Sequence, residues 1–236
     1  MFKNSSCTIN GKHTFRDYGL YVTNQTPIQA PEVRTQFVQV PGRNGDIDLT
    51  DALVGEPVYA NRQITLQLAG KKRPEDWPHF ISQFMMEIHG RQVTVVFDSD
   101  EDWFYRGRAI VQTDYQRGND VARFTLSITA EPFKIRAYDT TQPWLWDPFR
   151  FPDGVIAYYS GIEVNGTKQI RVVSPGMPVV PEFLLTAPMT VTYNGKTVNL
   201  PAGRSKDYDL AIRSGTSYMT FTGYGTVTIE YDVGRL

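Results

Sequence analysis

The side chains able to do chemistry are few and far apart. Three histidines occur, His13 beside a turn and His79 and His89 on a helical stretch. Ten residues separate the helical pair, which puts them about 80° apart in projection and about 15 Å apart along the axis, too far to share a metal ion. The acidic run Asp98-Ser99-Asp100-Glu101-Asp102 opens like a calcium loop, but Trp103 stands where that loop needs glycine and Ala109 where it needs a bidentate glutamate, so it reads as an acidic hairpin turn. A lone cysteine, Cys7, can form neither an internal disulfide nor a cysteine-based zinc site. His-Glu-x-x-His, Gly-x-Ser-x-Gly and the phosphate-binding Gly-x-x-x-x-Gly-Lys-Ser/Thr are all missing from the sequence. The residues call for no enzyme, no cofactor and no metal.

Binding is the remaining class of function. The formal charge of −1 argues against a basic nucleic-acid grip, and Arg34, Arg62, Lys71, Lys72 and Arg73 do not interleave with aromatics, so they read as a solvated face. Trp144, Trp146, Phe149 and Phe151 with Tyr158 and Tyr159 form an aromatic cluster that reads either as a stacking platform for a sugar or as a seam between domains. The N-terminus lacks the apolar run of a signal peptide and no window approaches the length of a membrane span, so the sequence predicts a soluble chain made in the cytoplasm.

The positioning elements are mostly strands. Asn10-Gly11, Asn165-Gly166 and Asn194-Gly195 each lie between alternating runs, the strongest short-range signal for a hairpin. Strands are predicted at 62–69, 92–97, 103–112 and 121–130, then at 154–159, 162–173, 182–185, 190–200, 206–212, 218–221 and 226–231. One helix is predicted over Glu75–His89, where Trp77, Phe80, Ile81, Phe84, Met85 and Ile88 form a single apolar stripe, with Asp76 as cap and Gly90 as stop. The composition shift near 134–141 divides the chain into a domain 1–136 and a domain 137–236.

The stretch Val40 to Thr50 stands out from this pattern. Pro41, Gly42 and Gly45 permit a sharp reversal between the run 36–40, read as a strand with one buried face, and the strand at 62–69. Beyond the turn, Ile47, Leu49 and Leu53 alternate with Asp46, Asp48 and Asp51, too long for a tight loop and too apolar for a solvated one. Two readings follow: Pro41, Gly42, Arg43, Gly45, Ile47, Asp48 and Leu49 form an arm that lies on a neighbouring subunit, or the segment folds on its own domain.

The order of several segments resembles the distal tail proteins of long-tailed, non-contractile bacteriophages. They are Phe15-Arg16-Asp17-Tyr18-Gly19-Leu20, the stretch Val40 to Asp48 with Tyr59 downstream, the helix followed by Val95 to Asp100 and by Tyr105 to Arg108, and the closing Ser214 to Tyr231. The resemblance covers nearly the whole chain. It implies a mostly β fold, in which an N-terminal β domain with one amphipathic helix precedes a C-terminal galectin-like β sandwich. It further implies a structural virion protein that forms a homohexameric ring at the distal tail tip. Its partners would be the tail tube protein on one side and tail-tip, tail-fibre or receptor-binding proteins on the other, with DNA passing through the lumen without specific binding and no membrane contact. The competing readings are a carbohydrate-binding module acting through Trp144 and Trp146, and the tail tube protein itself, which the length disfavours.

Overall fold

The computed structural model describes residues 6–24, 27–52, 55–112, 121–137, 158–174 and 176–236. The chain divides into two compact units, Met1–Lys134 and Ile135–Leu236, each with its own hydrophobic core. The fold is mostly β, with one helix. No described helix is long and apolar enough to cross a membrane.

The first unit is an antiparallel sheet under a single helix. Its strands are β1 (Cys7–Ile9), β2 (Lys12–His13), β3 (Leu20–Val22), β6 (Arg62–Lys71), β7 (Gln92–Phe97), β8 (Trp103–Gln112) and β9 (Val121–Ala130). Their order across the sheet is β2-β1-β7-β8-β9-β6-β3. The helix α1 (Trp77–Ile88) covers one face through the predicted stripe, burying Trp77, Ile81, Phe84 and Ile88. Phe84 sets its ring edge-on to Phe124 of β9 at 5.4 Å. Alternation along β6 places Ile64, Leu66 and Leu68 beneath this helix and Gln63 and Gln67 on the opposite face. Asp76 does occupy the cap position, but its carboxylate takes Arg73 at 2.8 Å rather than a helix N–H, because the guanidinium three residues back offers the stronger, charge-assisted bond. Between β3 and β6, β4 (Phe37–Val38) and β5 (Ile47–Asp48) pair, among the described residues, only with each other.

In the second unit one long strand organises the rest. β16 (Gly215–Glu230) pairs along its length with β11 (Ile162–Ser174), and on its other side with β13 (Met189–Tyr193) and then β12 (Glu182–Leu185). β14 (Lys196–Leu200) and β15 (Gly203–Lys206) extend the two arms, and β17 (Gly234–Arg235) pairs with β10 (Lys134–Arg136). The two arms curl around one core containing Phe183, Val191, Phe221 and Ile229, so the layers share continuous strands.

Three of the expected β features differ. Asn10-Gly11 and Asn194-Gly195 are the predicted hairpin turns, with positive φ at both residues of each pair. Asn165-Gly166 is not a turn: β11 runs through it, with Gly166 opposite Gly223 and Val164 opposite Gly225. These glycines, at φ 85, 152 and 137, let the two long strands bend together, and a side chain at Gly225 would meet Thr186 Oγ1 at 2.6 Å. For the same reason the two runs predicted at 218–221 and 226–231 are one strand. The third difference is at 206–212, where a 3-10 turn at Tyr208–Leu210, capped by the Asp207 carboxylate accepting Asp209 N–H at 2.8 Å, replaces the expected strand.

Candidate assembly surface

The strand pair β4–β5 is the tip of a two-stranded ribbon that grows out of β6. At its root, Ile28 bridges Ile64, Gln29 N–H donates to Gln63 O at 3.0 Å, and Val33 bridges Tyr59. Further out Arg34 N–H donates to Val58 O at 2.8 Å, and at the tip Phe37 pairs with Asp48 and Val38 with Ile47. From Val33 to Phe37 the outgoing strand takes four steps, while the return from Asp48 to Tyr59 takes eleven. On the longer return Gly55 N–H donates to Asp51 O at 2.7 Å.

Pro41, Gly42, Arg43, Gly45, Ile47, Asp48 and Leu49 all fall in this one hairpin. Pro41, Gly42, Arg43 and Gly45 make the exposed end loop, with Arg43 N–H donating to Val40 O at 3.1 Å. Ile47 and Asp48 form the returning strand, and Leu49 N–H donates to Gln36 O at 2.8 Å. The segment predicted as an extension beyond a turn is therefore the return half of a hairpin, held by backbone bonds that a residue-type pattern does not display. Asp48 closes its base: the Thr50 hydroxyl and N–H bond its carboxylate, holding it below the usual carboxylate range, and Thr50 Oγ1 accepts Gln36 N–H at 3.1 Å.

Among the described residues, nothing lies beneath the ribbon. The run 36–40 has no buried face, since every residue from 32 to 49 is exposed except Ile47, which is half-buried. Phe37 is 55% exposed and Leu49 39%, and Val33, Val38, Val40 and Val58 are exposed with them. Among the described residues, none between Ile28 and Ile64 belongs to the core. Sequence reading singled out Ile47 and Leu49 but missed Phe37 and Val38, assigned to an ordinary half-buried strand, and Val58, which fell in no predicted element.

The root, in contrast, is tied down. Arg62, expected on a solvated face, is only 4% exposed: its Nε–H donates to Pro132 O at 2.8 Å, its Nη2 donates to the same oxygen, and its guanidinium lies over the Tyr105 ring at 5.3 Å. Burial lowers its pKa, and a carbonyl and a ring face compensate the charge in place of water. Tyr59 packs edge-on against Phe133 at 5.7 Å beside it.

The other candidate groups do not converge. His13 Nδ1 accepts Phe15 N–H and Arg16 N–H, which leaves the proton on Nε2, 3.0 Å from Asp98 Oδ2. His89 Nδ1 accepts Val111 N–H, and His79 is exposed on the helix. In the acidic turn, Lys134 pairs with Asp100 at 2.6 Å. Burial pushes the Cys7 thiol up to about 12, far from a reactive thiolate. Among the described residues no cluster of His, Cys, Asp and Glu is placed to hold a metal ion. Trp144 and Trp146 lie outside the described residues.

No family model matches the chain, and no curated protein matches it. Among solved structures it is similar to the crystal structure of the SPP1 Dit protein (gp 19.1), described as a paradigm of the hub adsorption apparatus in phages that infect Gram-positive bacteria. The two share 11% sequence identity at a TM-score of 0.56, over 98% of this chain and 99% of that one. The likeness thus extends over both units, and what it establishes for this chain is a Dit-like fold.

Proposed function

We propose that this chain is a structural protein of a phage tail, a hub at the distal tip whose copies join side by side into a ring. The observation that carries the reading is the ribbon, a paired and hydrogen-bonded hairpin whose Phe37, Val38, Val40 and Leu49 are exposed, with no surface of the described residues beneath them. An isolated two-stranded hairpin is marginal in water, so one that carries this much apolar surface gains its rigidity by lying on something. A head-to-tail contact that closes into a circle supplies a neighbour for every ribbon and leaves none uncovered. The Dit-like fold over the whole length supports the same reading.

In this role the protein acts without catalysis, cofactor or metal. One face of the ring meets the tail tube, the other the tip or receptor-binding proteins, and DNA passes through the middle held by no sequence-specific contact. A net charge of −1 fits a passage that must not retain a polyanion. The site of action is the virion, after synthesis in the host cytoplasm, and six copies is the number we assign.

Light scattering on the eluting protein, with negative-stain microscopy of the peak, tests the proposal. The natural chain is expected as closed rings, and the double variant Phe37→Asp, Leu49→Asp as a folded monomer with an unchanged circular dichroism spectrum. A natural chain that stays monomeric at high concentration, or rings that survive the double substitution, would overturn it.

A further inference from the structure

The face of the second unit's sheet opposite its core carries an arrangement distinct from the ribbon. Strand order β14-β13-β16-β11 and the observed register align two rows across four strands, Asn199–Thr190–Thr222–Thr167 and Thr197–Thr192–Thr220–Gln169. Period-two alternation puts these side chains on the side opposite the core, since their neighbours Val191, Met219 and Phe221 are buried. The rows are braced from within: Thr190 Oγ1 donates to Asn199 Oδ1 at 2.8 Å, Thr192 and Thr197 hydroxyls lie 3.1 Å apart, and those of Thr167 and Thr222 lie 3.5 Å apart. Tyr224, 71% exposed, and Tyr218, 55% exposed, stand at the two ends of the rows on β16, opposite Asn165 and Arg171. Six residues separate them, about 20 Å along a strand, on a platform about 15 Å wide.

We propose that this face binds a neutral oligosaccharide. Three features select that ligand. The phenol rings of Tyr218 and Tyr224 offer flat apolar surface of the kind on which a sugar's C–H face stacks. The amides of Asn165 and Gln169, the phenol hydroxyls and the Arg171 guanidinium make no side-chain hydrogen bond to any described residue, so donors and acceptors stand ready between and beside the rings. Arg171 is the one charged side chain among these positions and none is aliphatic, so the face offers neither the apolar centre a protein interface is built on nor the basic cluster an acidic polymer needs. The rows are held by strand pairing and cross-strand hydrogen bonds, so a ligand that stacks at both ends while bonding to the amides between them costs the protein little ordering. The proposal uses neither Trp144 nor Trp146 and does not depend on ring formation.

The test is an array of neutral glycans probed with the full chain, followed by calorimetry with the tightest neutral tetrasaccharide and with tetragalacturonate as the charged comparison. The expected result is binding of a neutral glycan that weakens at least tenfold in Tyr224→Ala and in Tyr218→Ala, with melting temperature unchanged. Tyr21→Ala, which removes an exposed ring of the first unit, is expected to leave it intact. No neutral glycan bound, tighter binding of tetragalacturonate, or binding that withstands both tyrosine substitutions or is lost only with Trp144→Ala would overturn the proposal. Light scattering on the same samples reads assembly separately, so failure of the sugar site and failure of the ring are told apart.

Discussion

β6 and the ribbon that grows from it are written in nearly the same way and end in opposite surroundings. Arg62 to Ala69 alternates as Arg-Gln-Ile-Thr-Leu-Gln-Leu-Ala, and its Ile64, Leu66 and Leu68 are wholly buried under α1. Gln36 to Val40 alternates as Gln-Phe-Val-Gln-Val, and its Phe37, Val38 and Val40 are exposed. Alternation specifies a strand, and says that one side of it is meant for an apolar neighbour, but it does not say whose neighbour that is. For β6 the neighbour is encoded about ten residues downstream, in the stripe of the helix. For the ribbon no stretch among the described residues supplies one.

The largest effect expected from this contrast is on stability. Leu66→Ala empties a fully buried site and should cost about 2–5 kcal/mol, while Val38→Ala in the dissociated chain should change it by less than about 0.5 kcal/mol. Urea unfolding of the two variants measures both. A Val38→Ala loss approaching that of Leu66→Ala would mean that the ribbon is folded onto its own chain, and the contrast would collapse.

A smaller effect is expected at the point where the two regions meet. Arg62 is the first residue of β6 and, with Tyr59 packed on Phe133, anchors the root of the ribbon. Arg62→Met keeps the volume and the apolar stem but leaves the half-buried Pro132 carbonyl without the guanidinium, a cost of about 1–3 kcal/mol. Chemical denaturation should show this loss in a single cooperative transition. A loss confined to faster proteolysis of the ribbon, with the global midpoint unchanged, would place the anchor outside the cooperative unit.

How much of this could be read in advance depended on where each residue's partner lies. The bounds of β7, β8, β9 and β12 match the sequence reading to the residue, because their turns and alternation are local. The same local signal misled at Asn165-Gly166, where a favoured turn pair bends a strand instead: its partner glycine, Gly223, lies 57 residues away and no short window contains it. Arg62 was misread for the same reason, since the carbonyl that satisfies it is 70 residues downstream. The ribbon was legible as an oddity of composition, and only the register of β4 on β5 shows it as a hairpin. The tyrosine and threonine face was not legible at all, since its rows join four strands whose order follows from topology.

The smallest effect expected is a pH dependence that belongs to the ribbon alone. The Asp48 carboxylate, bonded by the Thr50 hydroxyl and N–H, holds its proton less tightly in the hairpin than in an open chain. A carboxylate with a lowered folded value stabilises wherever it is ionised, so its contribution is complete above the ordinary carboxylate range and is lost as pH falls through the lower folded value. Protonation leaves Thr50 N–H without its charged acceptor and loosens the Gln36–Thr50 closure that Thr50 Oγ1 completes. Amide NMR reads this directly: Thr50 should keep its folded shift from neutrality to about pH 5 and drift toward the open-chain position only at lower pH. Leu66 in β6, with no carboxylate bonded to its backbone, should stay fixed over the same window and report any general unfolding. Asp48→Asn should remove the drift. A Thr50 amide that titrates identically in Asp48→Asn would show that the tip is closed by its backbone ladder alone, and the carboxylate would then have no part in holding the ribbon in shape for a partner.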